Sequence, residues 1–95
     1  MHIITQQRIW KAQSIFPETS NALDDWYRIV KKNAYYSFND LKQTFPSVDK
    51  VGEYHVFNIG GNKLRLIAIV DYRYNKLFIR EILSHKDYDK NKWKK

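Results

Sequence analysis

Apolar residues recur three or four positions apart in the first third of the chain, which is the spacing of helices with one buried side. A first helix is predicted from an N-cap at Thr5 to about Ser14. A second is predicted to begin at Pro17, because proline fits the first helical turn, and to end near Lys32. Trp10 is also expected in the core. The apolar residues that form the buried sides of these two predicted helices are Ile9, Ala12, Ile15, Leu23, Trp26 and Val30.

Shorter features separate these helices from the second half of the chain. Ser37 followed by Asp40 predicts a capped short helix that ends near Thr44. Residues 47–52 are predicted to form a loop. Residues 2–4 are apolar and short, and they fit either a small strand or a lead-in to the first helix.

Two β-hairpins are predicted in the second half of the chain. Gly60 and Gly61 lie between runs of β-branched and apolar residues, and a glycine pair in this setting is typical of a two-residue hairpin loop. A second turn is predicted at Tyr74 and Asn75. The three antiparallel strands joined by these turns cover residues 56–59, 64–70 and 77–83.

The predicted register sorts the strand residues into two faces. It sets Phe57 opposite Leu64, His55 opposite Leu66 and Arg65 opposite Ser84, and side chains alternate along each strand. The packing face contains Phe57, Leu64, Leu66, Ala68, Val70, Ile79 and Leu83. The opposite, basic face contains Asn58, Lys63, Arg65 and Arg80, with His85 just beyond the strand end. Glu81 falls among the apolar set in this register.

These elements predict an α+β fold in which N-terminal helices pack on one face of a small antiparallel β-sheet and leave the other face open. A single domain over residues 1–95 is expected, and its lysine-rich end from residue 87 is expected to be mobile, with a helical turn as the alternative. The chain has no cysteine, no run long enough to span a membrane and no signal-peptide pattern. A cytoplasmic location is therefore expected.

Charge indicates the class of partner. The net charge is +7, and the sequence pI is about 9.7. Residues 48–95 hold eleven Lys or Arg against six Asp or Glu, so the excess is concentrated in the strands and the tail. Such a distribution favours a polyanion such as RNA, DNA or an acidic protein, although solubility alone also explains it.

The candidate chemistry lies on the basic face and beyond it. Neither metal-ligand spacing nor a phosphate-binding loop is present in the sequence. Histidine can transfer protons near neutral pH, arginine can stabilise a phosphate in its transition state, and tyrosine can stack on a base. Those types suit RNA cleavage without a metal. The alternative is that the arginines are ordinary surface charges and Tyr88 only packs, and His55 is expected to be structural.

Three segments resemble the HigB family of toxins from bacterial type II toxin–antitoxin modules. They are FNIGGNKLRL (residues 57–66), IRE (residues 79–81) and SHKDYDK (residues 84–90), and the start MHIIT is similar as well. The resemblance implies a RelE/ParE-like toxin fold. It also implies an mRNA interferase that cuts translated messages on the ribosome, and an antitoxin similar to HigA with a helix-turn-helix domain.

The resemblance also implies roles for individual residues. The expected catalytic residues are Arg65, Arg80, His85 and Tyr88. The resemblance also assigns Lys63 to RNA contact, and Asn58, Lys86 and Lys90 are expected to contact RNA as well. No metal or cofactor is expected, and the identity of the general base stays open, with His85 preferred. Two alternatives remain at this point: a ParE-like inhibitor of DNA gyrase, and a non-catalytic basic module that binds RNA or protein.

Overall fold

The computed structural model describes residues 1–94, so Lys95 at the end of the predicted tail lies outside the described residues. The helices are α1 (Gln7–Ile15), α2 (Ser20–Lys32), α3 (Phe38–Thr44) and α4 (His85–Asp89), with 3-10 turns at Pro17–Thr19 and Lys92–Lys94. The strands are β1 (His2–Ile4), β2 (Asp49–Val51), β3 (Tyr54–Ile59), β4 (Leu64–Asp71) and β5 (Lys76–Ser84). None of the helices within residues 1–94 is both long and apolar enough to cross a membrane.

The five strands form one sheet in the order β1-β5-β4-β3-β2. The pairs β2–β3, β3–β4 and β4–β5 are antiparallel, whereas β1 runs parallel to β5. The predicted α+β class is confirmed, but the sheet is mixed and has two strands more than predicted. Residues 2–4 form an edge strand, and β2 lies within the predicted loop.

The core lies between the helices and one face of the sheet. From α2 it takes Leu23, Trp26 and Val30, and the indole of Trp26 meets the ring of Phe57 edge-on with centroids 5.3 Å apart. The predicted packing face is confirmed for all its members except Leu83. Those that contribute to the core cluster or pack against it are Phe57, Leu64, Leu66, Ala68, Val70 and Ile79.

The first hairpin has a longer loop than predicted. Ile59 pairs with Leu64, so residues 60–63 all belong to the turn, and Arg65 pairs with Asn58 instead of Val56, the partner that the predicted register gives it. Both glycines have positive φ, 62° at Gly60 and 69° at Gly61, as expected for a tight turn. The predicted register was wrong because it would have set Ile59 against a polar asparagine, whereas the observed one buries Ile59 and Leu64 side by side.

A β-bulge shifts the second hairpin. Ala68 pairs with Ile79 but Ile67 pairs with Glu81, so Arg80 is the extra residue on β5. Beyond this point the faces of β5 are exchanged relative to the prediction. Glu81 therefore leaves the apolar set, and Leu83 pairs with Arg65 on the face away from the core.

Two predictions for the N-terminal segment were wrong. Thr5 is not an N-cap: its φ is 66°, and its hydroxyl donates to the carbonyl oxygen of Ile79 (2.9 Å) and accepts from the Ile79 N–H (3.1 Å). This exchange ends the pairing of β1 with β5, and α1 begins at Gln7. Trp10 and Ile15, which were expected on the buried side of the helix, are 60% and 58% exposed, because α1 turns Ile9 and Ala12 towards the core instead. The predicted cap of α3 is confirmed, since Ser37 Oγ accepts from the Asp40 N–H.

Candidate active site

The turn between β3 and β4 meets the junction of β5 and α4 at one corner of the sheet. Leu64 pairs with Ser84, and the N–H of His85 donates to the carbonyl oxygen of Lys63 (3.2 Å). Two residues that lie 22 positions apart in the sequence are thereby held side by side. The corner thus holds the backbones of Lys63 and His85 next to each other, and Lys63 lies in the turn and not on a strand.

The short helix α4 orients His85. Ser84 caps the helix by accepting from the Asp87 N–H (3.2 Å), and His85 occupies the first helical position. Its Nδ1 lies 3.0 Å from Oδ2 of Asp89, four residues on, and both side chains are about half exposed. Because Nδ1 is paired with Asp89, Nε2 is the ring nitrogen that can exchange a proton with a ligand, which suits a proton-transfer role. No group of three or more potential His, Asp or Glu metal ligands occurs among residues 1–94.

Arg65 is not the solvent-facing charge that its strand position suggested. The residue is only 9% exposed, and its guanidinium carbon lies 5.8 Å from the ring centroid of Tyr88. One guanidinium nitrogen donates to the carbonyl oxygen of Leu64 (3.1 Å), and the other lies 3.5 Å from Oδ1 of Asn62. The positive charge is therefore held beneath an aromatic ring at the corner where His85 lies.

The phenol of Tyr88 is held in its protonated form. Burial raises the pKa of Tyr88, the carboxylates of Asp49 and Asp89 raise it further, and the Arg65 guanidinium opposes them in part. Because the ordinary pKa of tyrosine is already near 10, the hydroxyl keeps its proton at neutral pH. Tyr88 can therefore donate a hydrogen bond or a proton, but it is poorly suited to act as a base.

The tail from α4 to the last 3-10 turn lies across this part of the sheet. Trp93 stacks on Tyr88 with centroids 5.1 Å apart and meets Tyr54 of β3 edge-on at 5.7 Å. Val56 and Ile67 lie on this face of the sheet, between the positions of Arg65 and Tyr54. Both are buried although they are not part of the core cluster between the helices and the other face. The face predicted to be basic and open is thus partly apolar, and the tail shields it.

Residues 19–91 match the sequence profile of the HigB toxin family, described as the RelE-like toxic component of a toxin–antitoxin system. The chain belongs to this family.

Individual relatives agree with this assignment. The chain is 36% identical over 92 residues to the mRNA interferase toxin HigB of Escherichia coli K12, a match that covers 94% of this chain and 88% of that protein. It is equally similar to the mRNA interferase HigB of Shigella flexneri. A further mRNA interferase HigB, from Escherichia coli O6:H1, is 29% identical over 93 residues, covering 95% of this chain and 90% of the relative.

Of four further site residues predicted from the sequence of this HigB family member, three lie near the corner in the fold and one lies further along β5. Asn58 is exposed and pairs with Arg65 across β3 and β4. Lys86 is exposed on α4, and Lys90 lies 3.4 Å from the carboxylate of Asp87. Arg80 is exposed at the bulge, three residues before the Leu83 that pairs with Arg65, which corresponds to about 10 Å along the strand. Arg80 is therefore the one proposed catalytic residue set apart from the corner.

Two features of the site were missed in the sequence. Asp89 follows His85 at the helical i, i+4 spacing, so the pair was recognisable once α4 was expected. Tyr54 and Trp93 had no comparable signal, because their contact depends on where the tail crosses the sheet. His55, by contrast, lies on the packing side as predicted, although opposite Ala68 and not Leu66.

Proposed function

We propose that this toxin is a ribosome-dependent mRNA interferase, an endoribonuclease that cleaves translated mRNA and so inhibits translation. The names of its relatives support the activity. The observation that carries the proposal is the corner itself, where a histidine–aspartate pair lies beside a turn lysine, a buried arginine and a protonated tyrosine. These groups can supply proton transfer and charge stabilisation without a metal or cofactor.

In the proposed reaction the ribose 2′-hydroxyl attacks the adjacent phosphorus, and Nε2 of His85 takes the hydroxyl proton. The bond between phosphorus and the 5′-oxygen breaks as this oxygen takes a proton from the Tyr88 hydroxyl. His85 then returns its proton to Tyr88. The products are a 2′,3′-cyclic phosphate and a 5′-hydroxyl end, and both side chains regain their starting protonation states.

The arginines would stabilise the negative charge that grows on the phosphate oxygens. Arg65 is held beside Tyr88 and is assigned to the scissile phosphate, since a guanidinium offers two parallel hydrogen bonds to phosphate oxygens. Arg80, about 10 Å along β5 from the partner of Arg65, is assigned to an adjacent part of the RNA. The proposed contacts to the RNA backbone are those of Asn58, Lys63, Lys86 and Lys90.

The ribosome is proposed as the element that aligns the message. The site is a shallow corner with one half-exposed histidine, so much of the substrate orientation has to come from outside the toxin. A role on the ribosome implies a cytoplasmic location. The toxic activity implies a cognate antitoxin, which we propose carries a helix-turn-helix domain as antitoxins similar to HigA do.

Mapping of mRNA 5′ ends after induction without antitoxin tests the proposal. We expect new 5′-hydroxyl ends within the codons of translated messages, and their loss when the start codon of a reporter is removed. Arg65→Ala and Arg80→Ala should weaken the cuts. Arg28→Ala is the matched control, because Arg28 is an exposed arginine on α2 that pairs with Asp25 away from the corner.

Other outcomes would contradict the nuclease. Growth arrest with altered DNA supercoiling and no new 5′ ends would indicate a gyrase inhibitor on the same fold. RNA binding by the purified protein with neither cleavage nor toxicity would indicate a non-catalytic module. Equal cutting of translated and untranslated reporters would retain the nuclease and remove the requirement for the ribosome.

Asp89→Asn is expected to lower kcat about 10- to 100-fold and to leave KM nearly unchanged, because the carboxylate acts through His85 and not on the RNA. Single-codon cleavage on programmed ribosomes measures both constants. Asp87→Asn is the matched control: this neighbour pairs with Lys90, and its capping contact to Ser84 uses the backbone N–H. Equal loss in both variants would mean that α4, and not the pair, had been damaged.

A further inference from the structure

Trp93 occupies an aromatic slot at the candidate active site. Its indole is nearly parallel to the Tyr88 ring, at an interplanar angle of 16° and a centroid distance of 5.1 Å. The ring of Tyr54 meets it edge-on, at 78° and 5.7 Å. The indole N–H donates to the carbonyl oxygen of Tyr88 (3.0 Å), so all three contacts hold one planar group in one place.

The groups around this indole are those that a nucleotide requires. Aromatic side chains bind single-stranded RNA by stacking on the bases, and an adjacent cation binds the phosphate. Here Tyr88 supplies a stacking surface, Tyr54 supplies a wall, and the Arg65 guanidinium lies over the same Tyr88 ring. The indole is a planar bicyclic system with an N–H donor, and in size and shape it is close to a purine base.

We propose that the slot between Tyr54 and Tyr88 binds a purine base of the RNA substrate, and that Trp93 fills the slot as an internal substitute until RNA displaces it. This inference rests on the proposed function, since it names the substrate group that the same site takes. It assigns Tyr54 to substrate positioning. It also assigns to the tail the role of covering Arg65 in the free protein.

The attachment of Trp93 suits such an exchange. It lies in a three-residue 3-10 turn that follows the five-residue helix α4, and it is not part of the core cluster. One groove beside it is lined by Leu83 of β5, by Lys90 and Lys92, and by the carboxylates of Glu81 and Asp87. A strand of RNA can enter this groove with its phosphates near the two lysines and meet Trp93 from the side, while the sheet beneath stays unchanged.

Binding of a short purine-containing oligoribonucleotide with a 2′-O-methyl group at every ribose tests the proposal, because this probe cannot be cleaved. Fluorescence anisotropy measures Kd for the full chain. Trp93→Ala is expected to bind about 5- to 10-fold more tightly, since the internal competitor is gone. Tyr54→Ala should bind several-fold more weakly. Trp10→Ala is the matched control, an exposed tryptophan on α1, and it should leave Kd unchanged.

The result that overturns the proposal is a Trp93→Ala variant that binds as the original protein does or more weakly. Weaker binding would make Trp93 part of the RNA platform. The same probe with abasic residues in place of its purines is a further test. If Trp93→Ala lowers the Kd for this abasic probe by the same factor, the slot does not bind a base and the assignment is overturned. Cleavage of translated mRNA by the original protein is measured in parallel. Cleavage without the expected change in binding overturns the purine slot and leaves the nuclease activity in place. Absence of both cleavage and binding overturns both proposals.

A second measurement follows the tryptophan directly. In a Trp10→Phe background the remaining tryptophans are Trp93 and the buried Trp26. Saturating RNA should shift the emission to longer wavelength and increase quenching by acrylamide, because displaced Trp93 enters solvent while Trp26 stays in the core. Unchanged emission and quenching on binding would place the indole in its slot in both states and overturn the exchange.

Discussion

His85→Ala is expected to lower the rate of cleavage of translated mRNA by about 100- to 10,000-fold, the contribution that a positioned general acid–base group typically makes. The variant removes the imidazole whose Nδ1 is held by Asp89 and whose Nε2 is assigned to the 2′-hydroxyl proton. It keeps the contact that builds the corner, because that contact uses the backbone N–H of His85 and the carbonyl oxygen of Lys63. Single-turnover cleavage on programmed ribosomes measures the rate.

The control for this variant is His2→Ala. His2 is an exposed histidine on the edge strand β1, away from the corner, so its loss should leave the rate unchanged. A His85→Ala variant that is folded and cleaves within about threefold of the original rate would assign the base to another group.

The side of the sheet that packs was predictable, whereas the pairing was not. Along β4, Leu64, Leu66 and Ala68 are apolar whereas Arg65 on the opposite side is charged, and this difference indicates which side faces the helices. The pairing depends on the loop length, and Gly60 and Gly61 fit both a two-residue and a four-residue turn. The deciding interaction is the side-by-side burial of Ile59 and Leu64, which becomes visible only when competing registers are compared.

The position of Glu81 in the sequence is a sign of the bulge. In a regular register Glu81 belongs to the apolar face, and a carboxylate without a partner is expensive to bury. An extra residue at Arg80 removes the conflict by shifting Glu81 to the other face opposite Ile67. It also carries Leu83 out of the packing face.

In the site, too, features local in sequence were predictable, whereas contacts between residues far apart in sequence were not. The types and approximate places of Arg65, His85 and Tyr88 were predicted, and the pairing of His85 with Asp89 is local to one helical turn. The burial of Arg65 was not predictable, because it depends on a tail that returns to the sheet and stacks beside it. Contacts between residues far apart in sequence, such as Tyr54 and Trp93, follow from the whole fold and not from spacing.

Away from the corner, His55 is expected to make the stability of the protein depend on pH. The residue is 3% exposed, its Nε2 lies 2.7 Å from the Tyr72 hydroxyl, and its ring meets Phe38 edge-on. Burial lowers the pKa of His55 from 6.5 to about 4, and the nearby Lys50 charge acts in the same direction. Burial also raises the pKa of Tyr72 to about 12, so the phenol stays protonated throughout this range.

The direction of the effect follows from the lowered pKa. Between pH 6.5 and about 4 the unfolded chain binds a proton at His55 more readily than the folded chain does. The free energy of unfolding should therefore be at its full value above pH 6.5 and fall as the pH drops, by roughly 1 kcal/mol at pH 5.5 and roughly 3 kcal/mol below pH 4. Urea unfolding at pH 7.5, 5.5 and 4 measures it.

Carboxylates titrate in part of the same range, so the measurement that isolates His55 is a comparison with His55→Asn. Asparagine keeps a polar group near Tyr72 but carries no titrating proton, and its baseline stability at pH 7.5 is the reference for its own series. The original protein should lose about 3 kcal/mol more than His55→Asn between pH 7.5 and pH 4. Parallel loss in the two proteins would show that the imidazole accepts a proton in the folded state as easily as in the unfolded chain.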